Sequence, residues 1–183
     1  MILIDVNVLV YAHREDTPDH AAYRDWVEEA INGRSAYGVS ELVLSGFVRV
    51  VTHPKVFGLP TPLDVALDVA NQLRNQPQAV SIRPGPRHWA IFETLVRSTA
   101  ETGNQVPDAY HAALAIESGC EWITTDKGFL RFPGLRARHP LRDAFRPCPG
   151  SQGFTFPKSP LMSCSAAITG TPCFSTTGIT SST

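Results

Sequence analysis

Four short apolar runs, residues 1–4, 36–39, 79–82 and 122–124, are separated by stretches in which apolar residues recur at helical spacing. Runs this short suit strands buried on both faces better than they suit core helices. Parallel strands need a crossover between them, and a helix supplies it. The alternation therefore constrains the chain to an α/β fold with a central, mainly parallel sheet of four to five strands. Helices are predicted over residues 6–12, 19–31, 40–52, 63–73, 88–99 and 108–118. The second carries Ala22, Trp26, Val27, Ala30 and Ile31 on one face, and the fifth carries Trp89, Phe92, Leu95 and Val96. Pro54 ends the third, and Gly119 stands where a terminating glycine belongs after the last. Residues 135–137 offer a fifth strand at a sheet edge, and nothing repeats internally.

The pattern holds to about residue 141 and then fails. Residues 1–141 contain 13 Lys and Arg against 16 Asp and Glu (net −3), whereas residues 142–183 contain 3 against 1 (net +2). In that last stretch 14 of 42 residues are Ser or Thr and another 9 are Pro or Gly, with four isolated phenylalanines. We expect a folded domain over 1–141 and an irregular, poorly ordered extension over 142–183, for which a non-native or read-through origin is compatible with the composition. No apolar run approaches the ~18 residues of a membrane helix, and an Asp interrupts the apolar N-terminus, so neither a membrane span nor a secretory signal is expected. The expected location is the cytoplasm. The four cysteines show no C-x-x-C spacing for zinc or redox chemistry. A net charge of −3 leaves no broad basic footprint, so a nucleic acid would have to be held by a local patch, a metal or an oligomer surface.

Four acidic residues share one position relative to these elements. Asp5, Glu41, Asp108 and Asp126 each stand at the carboxyl end of a predicted strand or at the start of the helix that follows. Taken singly, Asp5 could cap a helix, Glu41 could favour a helix dipole, Asp108 could be an N-cap and Asp126 could begin a turn. Taken together they point to the crevice beyond the strand ends where open α/β sheets bind ligands. Close carboxylates repel by about 4 kcal/mol per pair at ~4 Å and an effective dielectric near 20, so such a cluster requires protons or a cation. An all-oxygen donor set suits Mg²⁺ or Mn²⁺, and a hard cation there suits phosphodiester hydrolysis. Asn7 can add a neutral oxygen or orient water, and Thr125 a hydroxyl.

The same residues carry a resemblance. A strand ending in Asp5-Val6-Asn7, Ser40-Glu41 opening a helix, the run Pro107-Asp108-Ala109-Tyr110-His111 and the run Thr124-Thr125-Asp126-Lys127-Gly128-Phe129 resemble the PIN-domain ribonucleases, and more narrowly the VapC toxins of bacterial, mycobacterial-type toxin–antitoxin pairs. The resemblance covers residues 1 to about 141. It implies a three-layer α/β/α domain and a Mg²⁺- or Mn²⁺-dependent endoribonuclease that leaves a 5′-phosphate and a 3′-hydroxyl on transfer or ribosomal RNA. It further implies a homodimer and a VapB-like antitoxin that inserts a basic side chain into the acidic crevice. Metal and catalytic roles fall on Asp5, Glu41, Asp108 and Asp126, with Asn7 in support.

Other residues invite weaker readings. His111 lies one helical turn from Asp108 and could contact a phosphate or water, or serve as a structural histidine. His13, Arg14 and His20 could touch RNA or antitoxin from a surface loop. Lys127, Arg131, Arg136 and Arg138 follow the last acidic residue and could counter a phosphate backbone. Tyr11, Tyr110 and Trp122 could stack bases, with Trp122 better suited to the core. Two competing functions remain. An Asp-nucleophile phosphatase would need an acid where Asn7 stands. A non-catalytic partner of an antitoxin in a DNA-regulatory complex would not need all four carboxylates.

Overall fold

A computed structural model of the 183-residue chain describes residues 1–100, 102–142 and 153–157. The element order is β1 (Ile2–Ile4), α1 (Val6–His13), α2 (His20–Asn32), β2 (Tyr37–Val39), α3 (Glu41–Val51), α4 (Leu63–Arg74), β3 (Ala79–Ser81), α5 (His88–Thr99), α6 (Val106–Ser118), β4 (Glu121–Ile123) and β5 (Ala137–Arg138). The strands form one sheet in the order β3-β2-β1-β4-β5 with every pairing parallel. The chain first builds outward from β1 through β2 to β3, then returns to place β4 on the other side of β1. Right-handed crossovers in opposite directions put α1 to α4 on one face and α5 and α6 on the other, which yields three layers. The helix contacts agree: α1 packs on α2 and α3, α3 on α4, and α5 on α6.

Leu3, Trp122 and Ile123 from the central strands meet Val8, Phe47, Val69 and Leu114 from the helices in a continuous buried core. Two glycines allow close approaches within it. A Cβ on Gly46 would lie 2.8 Å from a methyl of Val6, so α3 crosses α1 where it has no side chain. A Cβ on Gly38 would lie 2.8 Å from Ile82, at the point where β2 sits closely packed. Gly119 closes α6 in the left-handed conformation at φ 67°, as its position in the sequence predicts.

Three expectations change. On α2 the buried face carries Tyr23 rather than Ala22, and on α5 Trp89 is 66% exposed rather than part of the core. His13 and Arg14 are buried rather than displayed. Arg14 donates to Asp16 (2.6 Å), to the Leu59 carbonyl (3.0 Å) and over the Phe57 ring, which ties the 53–61 loop to α1. His13 meets Thr61, and burial pushes its pKa down to about 4; His20 meets the Tyr11 carbonyl.

The third change concerns the extension, where residues 153–157 are not irregular filler. Phe154 and Phe156, two apart in an extended run, are both buried against α2. Residues Arg24, Glu28 and Asn32, spaced four apart along that helix, hydrogen-bond the segment's backbone. Asn32 both accepts from the Phe154 N–H (2.6 Å) and donates to its carbonyl (2.8 Å). Glu28 accepts from the Phe156 N–H (2.9 Å) and Arg24 donates to its carbonyl (2.7 Å). The remaining positions expected in the irregular extension, residues 143–152 and 158–183, lie outside the described residues.

Candidate active site

Asp5 is set where β1 ends and α1 begins. Its N–H donates to the Ile123 carbonyl (2.9 Å), which prolongs the β1–β4 pairing by one residue, while its Oδ1 accepts from the Val6 N–H (2.6 Å) as the cap of α1. The other oxygen accepts from the Thr124 hydroxyl (2.6 Å). Only 6% of the residue is exposed. Burial pushes its pKa up to about 6; the Thr124 and Val6 hydrogen bonds oppose the rise, and the charges of Asp108 and Asp126 add to it.

Thr124 is the hub of the strand-end network. Besides donating to Asp5, its oxygen accepts from the Asn7 amide (3.2 Å) and from the Asp126 N–H (3.0 Å). The Asn7 carbonyl oxygen accepts from the Thr125 N–H (3.4 Å), and Asp126 accepts from the Gly128 N–H (2.7 Å), fixing the turn that leads into the 3₁₀ segment Lys127–Arg131. The hydroxyl expected from Thr125 is supplied by Thr124; Thr125 meets the network through its backbone N–H. The missed signal was register. Ile4 pairs with Ile123, so the residues that follow, Asp5 and Thr124, emerge side by side at the crevice between β1 and β4. This crevice is the point where the strand order reverses.

Asp108, in the first turn of α6, completes an acidic wall. A cavity of about 960 Å³ is lined by Asp5, Asn7, Asp108, His111 and Asp126 together with apolar side chains of α1 and the 50–57 segment. Arg131 enters this group, donating to Asp108 (3.1 Å) while stacking on Phe132. His111 stacks on Trp122 (5.4 Å, 24°), and its buried Nδ1 has no hydrogen-bond partner. Burial pushes its pKa down to about 4, so the ring is neutral near pH 7 and offers hydrogen bonds rather than an acidic proton. Trp122 is fully buried, as its position suggests.

Glu41 does not join the other three carboxylates. It opens α3, but its exposed carboxylate accepts from Arg74 on α4 (2.7 Å) and Arg83 beyond β3 (3.4 Å), and it faces a separate groove between α3 and α4. Opposite charge on the neighbouring elements draws the side chain away from the crevice. Among the described residues no three His, Cys, Asp or Glu side chains converge closely enough to hold a metal as they stand. The donor chemistry nevertheless fits a hard cation. Three carboxylates and an amide line one cavity, one of them buried with its ionisation opposed by the others, and a guanidinium already stands against Asp108 as countercharge.

Residues 2–135 match the PIN domain family. The chain is 45% identical over 141 residues to a VapC ribonuclease of Mycobacterium bovis, covering 77% of this chain and 96% of that protein. It is 34% identical over 140 residues to ribonuclease VapC25 of Mycobacterium tuberculosis, covering 76% and 99%. Among solved structures, VapBC2 from Rickettsia felis bound to a promoter DNA fragment superposes with a TM-score of 0.54 at 17% identity, covering 76% of this chain and 98% of that one. FitAcB from Neisseria gonorrhoeae gives 0.52 at 17% identity, covering 78% and 99%. These structures share the fold, and the sequence matches are far closer. With its parallel sheet, its acidic crevice at the strand ends and this degree of identity, the chain belongs to the PIN-domain family, in the VapC ribonuclease branch.

Proposed function

We propose that this protein is a divalent-metal-dependent endoribonuclease, the toxin of a type II toxin–antitoxin pair acting on transfer or ribosomal RNA in the cytoplasm. In this reading residues 1–141 carry the activity, two copies pair, and Asp5, Asp108 and Asp126 are the metal-binding and catalytic carboxylates. One observation carries it: a buried Asp5, held by Thr124 and Val6, faces Asp108 and Asp126 across one cavity at the β1–β4 crevice. The names of the relatives, VapC ribonucleases, support the activity, and the VapBC2 structure among the neighbours supports a VapB-like antitoxin as partner. Among the described residues no helix is long and apolar enough to cross a membrane.

Mg²⁺ or Mn²⁺, when bound, supplies positive charge to the phosphoryl oxygen and makes water a better nucleophile at neutral pH. The chain's own residues prepare the place for it. Thr124 spends its proton on Asp5 and so favours the ionised carboxylate against its burial, while Asn7, anchored to Thr124, presents its amide beside the cavity without adding charge. Arg131 donates to Asp108 and supplies there the countercharge that a cation held by Asp108 would supply. Glu41 enters only by giving up Arg74 and Arg83. His111 orders the cavity wall as a neutral donor or acceptor.

The test is cleavage of total RNA by the purified protein, with new 5′ ends mapped. Asp5→Asn and Asp108→Asn are expected to lose cleavage at least a hundredfold while retaining the wild-type circular dichroism, and EDTA is expected to abolish wild-type cleavage. Undiminished cleavage in either variant, or in EDTA, overturns the assignment. A single dominant cut bearing a 5′-phosphate would identify the RNA.

A further inference from the structure

Beside the acidic cavity lies a second one of about 270 Å³, lined by Thr125, Asp126, Lys127, Arg138, His139 and Arg142. Asp126 belongs to both, so the two hollows share a wall. Their charge differs: three carboxylates and Arg49 line the first, whereas cationic side chains outnumber Asp126 in the second. Three cationic side chains and an imidazole surround the second cavity, and they are not equally occupied. Arg138 is committed to Glu121 (3.2 Å). The side chains of Lys127 and Arg142 make no ion pair or hydrogen bond among the described residues, although the Arg142 backbone N–H donates to the His139 carbonyl (3.4 Å). His139 lies within electrostatic reach of both, and its ring is fixed by the Leu141 N–H (3.2 Å) and the Tyr23 hydroxyl (3.5 Å).

A polyanion approaching three carboxylates is repelled until a cation is present, and residues 1–141 carry a net charge of −3 (13 Lys and Arg against 16 Asp and Glu). Something local must hold the strand. We infer that the second cavity is a phosphate subsite for the RNA backbone, in which Lys127 and Arg142 grip a phosphate neighbouring the one presented to Asp5, Asp108 and Asp126. The Thr125 hydroxyl, which serves no role in the acidic cavity, lines this subsite and adds a neutral donor. The inference rests on the ribonuclease reading above and specifies how the substrate is held. It makes binding at this position independent of sequence, because phosphates carry none.

The experiment measures fluorescence anisotropy of a labelled, mixed-sequence single-stranded RNA with the full chain in EDTA, on the Asp5→Asn background so that the probe stays intact. Lys127→Ala and Arg142→Ala are each expected to weaken binding about tenfold and to lower the slope of log affinity against log salt by about 0.7, the value for one phosphate contact on a single strand. Unlabelled RNA is expected to displace the probe, and inorganic phosphate at equal phosphate concentration is not. Unchanged affinity and salt slope in both variants overturns the subsite, as does weaker binding with an unchanged slope. Displacement by inorganic phosphate as readily as by RNA marks a free-anion site and overturns it also, and so does normal RNA binding with lost antitoxin binding. Should Arg142→Ala fail to fold by circular dichroism, exposed Lys127 decides alone. Retained cleavage by Asp5→Asn with weakened RNA binding by Lys127→Ala fells the carboxylate assignment and keeps the subsite. Lost cleavage with normal binding in both cation variants fells the subsite alone.

Discussion

A carboxylate receiving two short hydrogen bonds ordinarily ionises more easily than in water, yet burial carries Asp5 in the opposite direction, from 3.8 to about 6. Between those values the folded state holds a proton that the unfolded chain has released, so stability falls as pH rises through that window. The full shift amounts to on the order of 3 kcal/mol. Asp5→Asn removes the titration. In EDTA, urea unfolding should therefore show the stability difference between variant and wild type moving by roughly that amount in the variant's favour from pH 4 to pH 7. A difference that does not change with pH would mean that Asp5 is not held protonated by its surroundings. At this scale the sequence was legible where position along the elements decides a place, as for Asp5, Asp108 and Asp126, which line one cavity. It was not legible where a side chain chooses among partners. Glu41 stands at the right strand end and is captured by Arg74 and Arg83, which lie 33 and 42 residues away and become its neighbours only through the sheet order. Thr124 and Thr125 are adjacent and chemically identical, and only pairing with β1 decides which of them meets Asp5.

The elements themselves were largely readable, because short apolar runs and helical periods alternate without ambiguity up to residue 141. What periodicity could not foresee is how closely two elements cross. The α3 helix meets α1 at Gly46, with Val6 in the space a Cβ would take, and Val6 is the first residue of the helix that Asp5 caps. Gly46→Ala should therefore act through geometry. Forcing the helices apart should cost about 1–3 kcal/mol in denaturant unfolding and reduce cleavage by moving Asp5 relative to Asp108. Full activity in a destabilised protein would show that the crossing supports the fold but does not position the site. The exposed Trp89 on α5 illustrates a complementary limit: helical spacing marks an apolar stripe, but the width of the buried strip depends on how the neighbouring helix lies across it.

Over the whole molecule, the composition changes character near residue 141 while concealing that Phe154 and Phe156 return to α2. Alternation over three residues is too brief to stand out among turn-forming neighbours, and its receptor, the spacing of Arg24, Glu28 and Asn32, is visible only once α2 is seen to have a vacant face. Deleting residues 143–183, which leaves Arg142 in place, should preserve cleavage and lower stability by about 3 kcal/mol or more, from two buried phenylalanines, as read by urea titration. Loss of cleavage in the truncated protein at temperatures where it stays folded would move the boundary of the active unit beyond residue 141. The β1–β4 pairing has a further consequence for how the protein is made. Asp5 and Thr124 are 119 residues apart in sequence, and β1 occupies the middle of the sheet with β4 on one flank. A chain emerging from the ribosome presents Asp5 more than a hundred residues before Asp108, Thr124 and Asp126, so a partial product lacking them has no crevice to bring to RNA. A ribonuclease built in this order has no acidic cavity until β4 has been synthesised.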